Sequence, residues 1–252
     1  MQTLQLTHKG RDSWERPVYE CDGKTYFDSE YKLNDFRLTR MDFTANINVG
    51  NRENVSRYIK ILHSMGKVKG FSPKYKKSNK NIDKNLSFDL MSKSLGLEFS
   101  AYDKEAQSNL KAAKGILRIE IRLMKLGVKG GKTADQIKVL SKTSPDIFMK
   151  FFQRIIPTGD YYIKKQTVSL VENEIASIVA EKKSRENLLG KMKNLLELIP
   201  KKKSLRDAQK ALNYRNIDRV MEAFAAINVS PVTIPKSMKL NHLESLYTFF
   251  EK

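Results

Sequence analysis

Three segments of the chain carry side chains that could act together on a phosphodiester. Tyr102 offers a phenol oxygen that could attack phosphorus, while Asp42 and Glu120 are hard oxygen ligands of the kind that Mg²⁺ or Mn²⁺ prefers. Cations near them in sequence could neutralise charge on the phosphoryl oxygens, namely Arg40, Lys104 and Arg118. These residue types therefore suit metal-assisted cleavage of a phosphodiester through a covalent phosphotyrosine.

The same side chains lie in segments whose apolar residues recur at every second position, which is the period of a strand with one buried face. The polar positions are Arg40, Asp42, Thr44 and Asn46 in the first segment, Glu98, Ser100, Tyr102 and Lys104 in the second, and Arg118, Glu120 and Arg122 in the third. If the apolar positions pack under helices, these three polar rows meet on the opposite face of one sheet. A solvated sheet face also favours such residues in cross-strand pairs, so an inert surface is the alternative interpretation.

Hydrophobic periodicity predicts the elements that must position these rows. A hairpin is expected at residues 17–28, a helix at residues 51–65, and a second hairpin around Leu95-Gly96. From Thr133 onward the apolar residues recur with the period of a helix.

These elements predict an α+β fold in two domains. Residues 1–130 are expected to form an antiparallel-rich sheet with helices on one face and an N-terminal hairpin. Residues 131–252 are expected to form a helical domain that follows it. A chain of 252 residues is long enough for two such domains.

The charge balance points to a polyanionic partner. The chain has 47 Lys and Arg against 28 Asp and Glu, which gives a formal net charge of +19. Such a field attracts nucleic acid through counterion release, and a membrane surface is the second choice. No apolar run reaches the length of a spanning helix, the first residues lack the apolar core of a secretion signal, and the single cysteine fits a reducing compartment. A cytoplasmic protein without a membrane partner is therefore expected.

Two further segments are candidates for DNA contact. A lysine-rich loop contains Lys67, Lys69, Lys74, Lys76 and Lys77, which could bind phosphates, although a solvated loop is the alternative. Residues 204–227 have the layout of a helix-turn-helix, with Ser204 as the cap of a short first helix. The residues expected near the start of the second helix are Arg215, Asn216 and Arg219. Packing against the sheet, or dimerisation through the long helix before them, is the alternative for this segment.

Three motifs together carry a resemblance to a known family. They are "LTRMDFTANI", then "SFDLMSKSLGLEFSAYDKEA", then "GILRIEIRLMK", within roughly residues 36–125. In this order they resemble the phage and plasmid replication proteins of the II/X and Rep-trans kind, which initiate rolling-circle replication and to which conjugative-element relaxases are similar. The family pattern is an R-x-D strand, a Ser-containing hairpin that runs into Y-D-K, and an R-x-E strand. The matching positions are Arg40 and Asp42, then Ser92 and Ser94, then Tyr102, Asp103 and Lys104, then Arg118 and Glu120.

The resemblance implies a site-specific DNA endonuclease and strand transferase. Tyr102 would nick one strand with Mg²⁺ or Mn²⁺ and keep the 5′ end, while the free 3′ hydroxyl primes synthesis. Asp42 and Glu120 would be the metal-side carboxylates, and origin DNA, partly single-stranded, the partner. A second copy of the chain and a host helicase are further partners that the resemblance allows. The competing function is a non-catalytic, sequence-specific DNA-binding regulator that keeps the sheet as a scaffold.

Two departures from the family pattern and two competing tyrosines bear on this prediction. The chain has "LMSKS" where the family usually has a Gly-Ser-type turn, and its three histidines form no paired-histidine metal motif. Carboxylates are therefore the expected protein ligands of a metal. Tyr161 and Tyr162 could replace Tyr102 as nucleophile, but they lie between predicted helices and are expected to have no acidic partner nearby in sequence. We expect them to pack in the core.

Overall fold

The structure is a computed structural model that describes residues 7–11, 17–21, 24–27, 40–74, 86–124, 139, 141–213 and 217–250. The chain divides into two units, Met1–Thr39 with Leu126–Lys142 and Arg40–Lys125 with Thr143–Lys252. In the first unit the strands form an antiparallel sheet in chain order: Thr7–Arg11 (β1), Pro17–Cys21 (β2) and Lys24–Phe27 (β3). Cys21 pairs with Lys24, so two residues separate β2 from β3 and the predicted hairpin is confirmed.

Over the residues that the structure describes, the main sheet of the second unit has five strands, all antiparallel to their neighbours. Its order is β4-β8-β7-β6-β5. The strands are Met41–Asn48 (β4), Ser72–Pro73 (β5), Ser87–Ser92 (β6), Leu97–Asp103 (β7) and Ile116–Leu123 (β8). Burial alternates along β4 and β6, as the period of two predicts, and one face of the sheet forms the core.

The structure describes seven α-helices in the second unit, five of which lie after Thr133, where the helical period is predicted. They are Arg52–Met65 (α1), Lys104–Ser108 (α2), Ser144–Ile155 (α3), Lys164–Ile178 (α4), Lys182–Lys202 (α5), Leu205–Leu212 (α6) and Ile217–Ala226 (α7). Two short strands pair with each other and join the start of α4 to the C-terminal segment. They are Tyr161–Tyr162 (β9) and His242–Leu243 (β10). No described helix is long and apolar enough to cross a bilayer.

Helices α1 and α3 cover the apolar face of the main sheet. The N-cap of α1 is Asn51, whose side chain accepts a hydrogen bond from the backbone N–H of Asn54. The predicted stripe, which includes Val55, Ile59 and Leu62, is buried against β6, β7 and β8, while α3 contacts β4 and β8. The predicted α+β fold with helices on one sheet face is therefore confirmed.

The later helices share one apolar core with the main sheet. Buried residues of α5, α6 and α7 belong to the same apolar cluster as the inner face of the sheet. The backbone just after α1 packs closely against the end of α5. A Cβ on Gly66 (φ 61°) would lie only 2.3 Å from the carbonyl oxygen of Lys203. The backbone N–H of Arg206 also donates a 2.8 Å hydrogen bond to the carbonyl of Lys67. Periodicity predicts which face of a helix is apolar, but not which element will cover that face.

Helices α6 and α7 lie in the segment for which a helix-turn-helix is predicted. The side chain of Ser204 caps α6 by accepting from the N–H of Asp207, and α6 ends at Asn213 in the left-handed region. Arg219 is exposed in the first turn of α7. Arg215 and Asn216 lie outside the described residues.

Candidate active site

The three polar rows meet on the face of the main sheet opposite α1 and α3. Strand register brings their members into cross-strand lines, one of which runs through Asn46, Arg118, Tyr102 and Ser87. A second line runs through Thr44, Glu120, Ser100 and Asp89, and a third through Asp42, Arg122, Glu98 and Met91. The prediction that tyrosine, carboxylates and cations share one sheet face is confirmed.

The predicted nucleophile is hydrogen-bonded to Glu120. The hydroxyl of Tyr102 donates a 2.5 Å hydrogen bond to Oε1 of Glu120, which is only 8% exposed. The pKa of the half-buried Tyr102 is raised to about 12, and burial is the largest cause. The hydrogen bond to Glu120 and the charge of Glu120 also raise this pKa, while Arg118 lowers it. The phenol is therefore protonated at neutral pH, and its proton already points at a carboxylate.

Arg122 holds three carboxylates of the face together. Its guanidinium pairs with Glu120 and lies 3.5 Å from the carboxylate of Asp42 and 3.6 Å from that of Glu98. Glu98 also accepts a 2.8 Å hydrogen bond from Nζ of Lys74. Burial lowers the pKa of Arg122, but Glu120 and Asp42 outweigh that effect and the pKa is raised. Alternation predicts Arg122 as a member of the polar row but gives it no role, because its ion pairs depend on the register between strands.

The two arginines predicted as catalytic, Arg40 and Arg118, contact side chains near opposite ends of β4. Arg40 donates to both carboxylate oxygens of Asp42, at 2.8 and 2.5 Å, and this hydrogen bonding raises the pKa of the guanidinium. Arg118 donates a 2.8 Å hydrogen bond to Asn46 and lies 4.0 Å from Oε1 of Glu120. Of these two, Arg118 is the cation that lies beside both Tyr102 and Glu120.

Asp42 and Glu120 match a divalent metal in donor type but not in arrangement. Their carboxylates are of the kind that Mg²⁺ prefers, yet Arg122 lies between them and pairs with both. Within the described residues, no group of three or more His, Cys, Asp or Glu is placed to hold a metal ion. A metal would have to replace the guanidinium of Arg122 at both carboxylates and that of Arg40 at Asp42.

The prediction that Lys104 continues the polar row of β7 was wrong. The strand ends at Asp103, and Lys104 begins α2, where its Nζ donates a 2.6 Å hydrogen bond to Gln107. Asp103 is buried and caps this helix by accepting from the N–H of Ala106. Its other carboxylate oxygen lies 3.3 Å from Nε of Arg52. The Asp side chain stops the strand because it stabilises the first turn of a helix instead.

The predicted DNA-contacting lysines differ in their surroundings. Lys74 belongs to the sheet network through Glu98, and Lys67 lies 3.7 Å from the carboxylate of Asp207. Lys69 is exposed, and no ion pair with a described carboxylate is found for it. Lys76 and Lys77 lie outside the described residues.

A groove of about 490 Å³ lies beside Tyr102, between the polar face and α2. Its lining includes Ser87, Asp89, Ser100 and Arg122. Sequence reasoning missed Asp89, although the signal was present. In "SFDLMS" the apolar Phe88 and Leu90 alternate with Ser87 and Asp89, which follows the same period as the other rows.

The competing tyrosines are placed in the core and at its edge. Tyr161 is fully buried, so the packing predicted for it is confirmed, and burial raises its pKa. The ring of Tyr162 stacks on His242 with centroids 4.7 Å apart, and burial and Asp160 raise the Tyr162 pKa. Sequence reasoning overlooked Asp160, the acidic neighbour of both tyrosines, which also lies 3.1 Å from Nε2 of His242.

Comparison with known proteins finds no match for this chain. No family model matches it, and the same is true of the curated proteins and of the solved structures. The interpretation of the site therefore depends on its geometry and on the resemblance in the three motifs.

Proposed function

We propose that this chain is a DNA nickase of the rolling-circle kind that uses Tyr102 as its nucleophile. The observation that carries the proposal is the 2.5 Å hydrogen bond from Tyr102 to Glu120, which pairs a phenol with a carboxylate that can accept its proton. Tyr102 itself lines an open groove of about 490 Å³ on a protein of formal net charge +19. A single DNA strand could enter this groove with its phosphate beside the phenol.

The proposed step exchanges one phosphodiester for another. The Tyr102 oxygen attacks phosphorus and forms a P–O bond, while its proton passes to Oε1 of Glu120. The bond from phosphorus to the 3′ oxygen breaks, and its electron pair leaves with that oxygen, which takes a proton from water. The products are a 5′-phosphotyrosine and a free 3′ hydroxyl, and the reverse reaction rejoins a strand.

Two arginines can stabilise the charge that develops in this step. Arg118 is the register partner of Tyr102, and Arg122 lines the groove and pairs with Glu120. Arg118 is held by its hydrogen bond to Asn46, and a guanidinium group that is fixed before the reaction stabilises phosphoryl oxygens without reorganisation. Arg40 lies farther along the face, where it pairs with Asp42, so its contribution is to hold that carboxylate.

The proposal includes a divalent cation, Mg²⁺ or Mn²⁺, because the motifs that resemble the replication initiators imply one. Asp42 and Glu120, which Arg40 and Arg122 pair with in this structure, are the carboxylates that would hold the ion, and the ion would supply Lewis-acid chemistry at the phosphate. The substrate proposed from the same resemblance is the origin of a phage, plasmid or other mobile element. A cytoplasmic location, a homodimer and a host helicase as partner belong to the proposal in the same way.

The competing proposal is a non-catalytic DNA-binding regulator. The ion pairs of Arg122 with Asp42, Glu98 and Glu120 favour it, because such a network would stabilise a polar sheet face without any chemistry.

One experiment separates the two functions. A randomised pool of single-stranded oligonucleotides, labelled at the 3′ end, is incubated with the protein and Mn²⁺, and the mixture is run on a denaturing protein gel. A nickase retains the labelled fragment as a covalent adduct and also relaxes supercoiled plasmid that carries its origin. Binding of the pool without any adduct would instead support the regulator.

A further inference from the structure

We propose that the groove beside Tyr102 binds an unpaired guanine of single-stranded DNA, and that Asp89 recognises its Watson–Crick edge. This inference rests on the proposed function, because the guanine would belong to a nucleotide next to the cleaved phosphate. The groove volume of about 490 Å³ is within the range of about 300–1,000 Å³ that is usual for ligand pockets.

Asp89 is out of place in a simple phosphate-binding groove. A carboxylate repels phosphate, so its presence on the DNA-facing side of a protein of charge +19 indicates a group other than the backbone. Asp89 lines the groove together with Ser87, Ser100 and Tyr102. Asp42, Glu98 and Glu120 each form an ion pair with a cation of this face. Among the described residues, no such ion pair is found for Asp89.

Two serines hold the Asp89 carboxylate in a fixed orientation. The hydroxyl of Ser100 donates to Oδ1 at 2.7 Å, and that of Ser87 donates to Oδ2 at 2.8 Å. A carboxylate oxygen accepts about two hydrogen bonds, so each of these oxygens keeps one acceptor position. Asp89 therefore presents two parallel acceptors, which suits a ligand with two adjacent N–H donors.

The donor pattern of the bases identifies the ligand as guanine. Guanine carries two adjacent donors, N1–H and the N2 amino group, on the edge that is open when the base is unpaired. Cytosine and adenine place one amino donor beside a ring nitrogen that accepts, and thymine places its N–H between two carbonyl oxygens. Those neighbouring acceptors repel a carboxylate, so guanine is the best match and thymine the worst.

The position of Asp89 places the base close to the reacting phenol. Asp89 is the register partner of Ser100, and Ser100 precedes Tyr102 by two residues on the same face. Two strand residues span about 7 Å, so the recognised base lies next to the nucleotide that is attacked. Arg122 lines the same groove and offers a planar guanidinium against which a base can stack.

The test measures binding in a Tyr102→Phe background, so that cleavage plays no part. The probes are oligo-dT strands of roughly twelve nucleotides with one central dG, dI, dC, dA or dT, followed by fluorescence anisotropy. We expect the dG strand to bind about tenfold more tightly than the all-dT strand. The dI strand, which lacks only the N2 amino group, should lose most of that gain.

Adding Asp89→Asn to this background should remove the preference for dG. The variant should still bind the all-dT strand, and this binding shows that it is folded. Asp146→Asn removes one exposed carboxylate of α3 outside the groove and should keep the preference. Equal binding of all five strands by the Tyr102→Phe protein, or a dG preference that survives Asp89→Asn, would overturn the inference. Failure of the proposed function gives a different result, namely a dG preference together with no covalent adduct in the wild-type protein.

Discussion

Tyr102 and Glu120 contact each other diagonally across β7 and β8, with 2.5 Å between the phenol oxygen and Oε1. Neither is the register partner of the other, since Tyr102 lies opposite Arg118 and Glu120 lies opposite Ser100. Diagonal neighbours on an antiparallel pair are within reach of long side chains. The tyrosine therefore has a cation directly opposite it and a proton acceptor on the diagonal, and the proposed nucleophilic role depends on both.

The substitution Tyr102→Phe should abolish the covalent DNA adduct and leave DNA binding within about twofold of the wild type. The change removes one oxygen, the one that donates the hydrogen bond to Glu120. The measurement is the labelled-adduct gel, with anisotropy on the same strand.

Tyr162→Phe is the matched control for that experiment, because Tyr162 is also partly buried and also has a raised pKa. It should form the adduct at the wild-type rate. An adduct that persists after Tyr102→Phe and disappears after Tyr162→Phe would move the active site to the segment near His242.

Glu120→Gln should lower the pKa of Tyr102 from about 12, because the carboxylate contributes both charge and a hydrogen bond to the protonated phenol. The pKa should not reach the reference value of about 10, since burial is the largest cause of the shift and stays in place. Absorbance titration of tyrosinate gives the pKa once the curve of the same protein with Tyr102→Phe is subtracted. The Glu120→Gln variant should also lose the adduct, because the proton acceptor is gone. An unchanged Tyr102 pKa in this variant would contradict the contact with Glu120.

The raised pKa of Tyr102 has an effect on stability whose sign is fixed. The pKa is higher in the folded than in the unfolded protein, so folding favours the protonated phenol. This contribution is complete below about pH 10 and is lost as the pH rises through about 12. Between those values the unfolding free energy of the wild type should fall more steeply than that of Tyr102→Phe. Parallel curves would show that Tyr102 titrates normally.

Much of this face could be predicted because strand alternation is a local property. Spacing alone places Asp42, Tyr102 and Glu120 on one side, and the same rule applied to β6 adds Asp89. Lys104 departs from the prediction because alternation does not continue beyond the strand end, where Asp103 is a helix cap.

The contacts between strands could not be predicted in the same way. The ion pairs of Arg122 with Asp42 on one side and Glu98 on the other require the register of β8 against both neighbours. That register comes from packing across the whole sheet and leaves no local signal. The shared core of sheet and late helices is likewise a property of tertiary packing, which periodicity along the chain does not reveal.

Arg122→Met should reduce the free energy of unfolding by about 2 kcal/mol, because it leaves Glu120 and its neighbouring carboxylates without their shared cation. Arg118→Met is the matched control, since the two arginine side chains are 23% and 24% exposed. Arg118 has one hydrogen bond to Asn46 and a 4.0 Å approach to Glu120, so its loss should cost less than about 1 kcal/mol.

Urea unfolding measures both losses, and equal values would contradict the central role given to Arg122. Added Mn²⁺ should restore stability to the Arg122→Met variant if Glu120 and Asp42 can hold the ion in competition with Arg40, which still pairs with Asp42. No recovery with Mn²⁺ would argue against the metal in the proposed function.

Lys69→Gln should weaken binding to all DNA sequences alike and reduce the slope of log affinity against log salt by about 0.7, the value for one contact with a single strand. Lys69 is exposed, and none of the carboxylates that the structure describes forms an ion pair with it, so it is the test case for a phosphate contact. Lys74→Gln is the comparison, because Lys74 already donates to Glu98 at 2.8 Å and would release few counterions. The salt slope should therefore change less at Lys74 than at Lys69. Anisotropy with one strand at several salt concentrations gives both slopes, and an unchanged slope after Lys69→Gln would show that this lysine only contacts solvent.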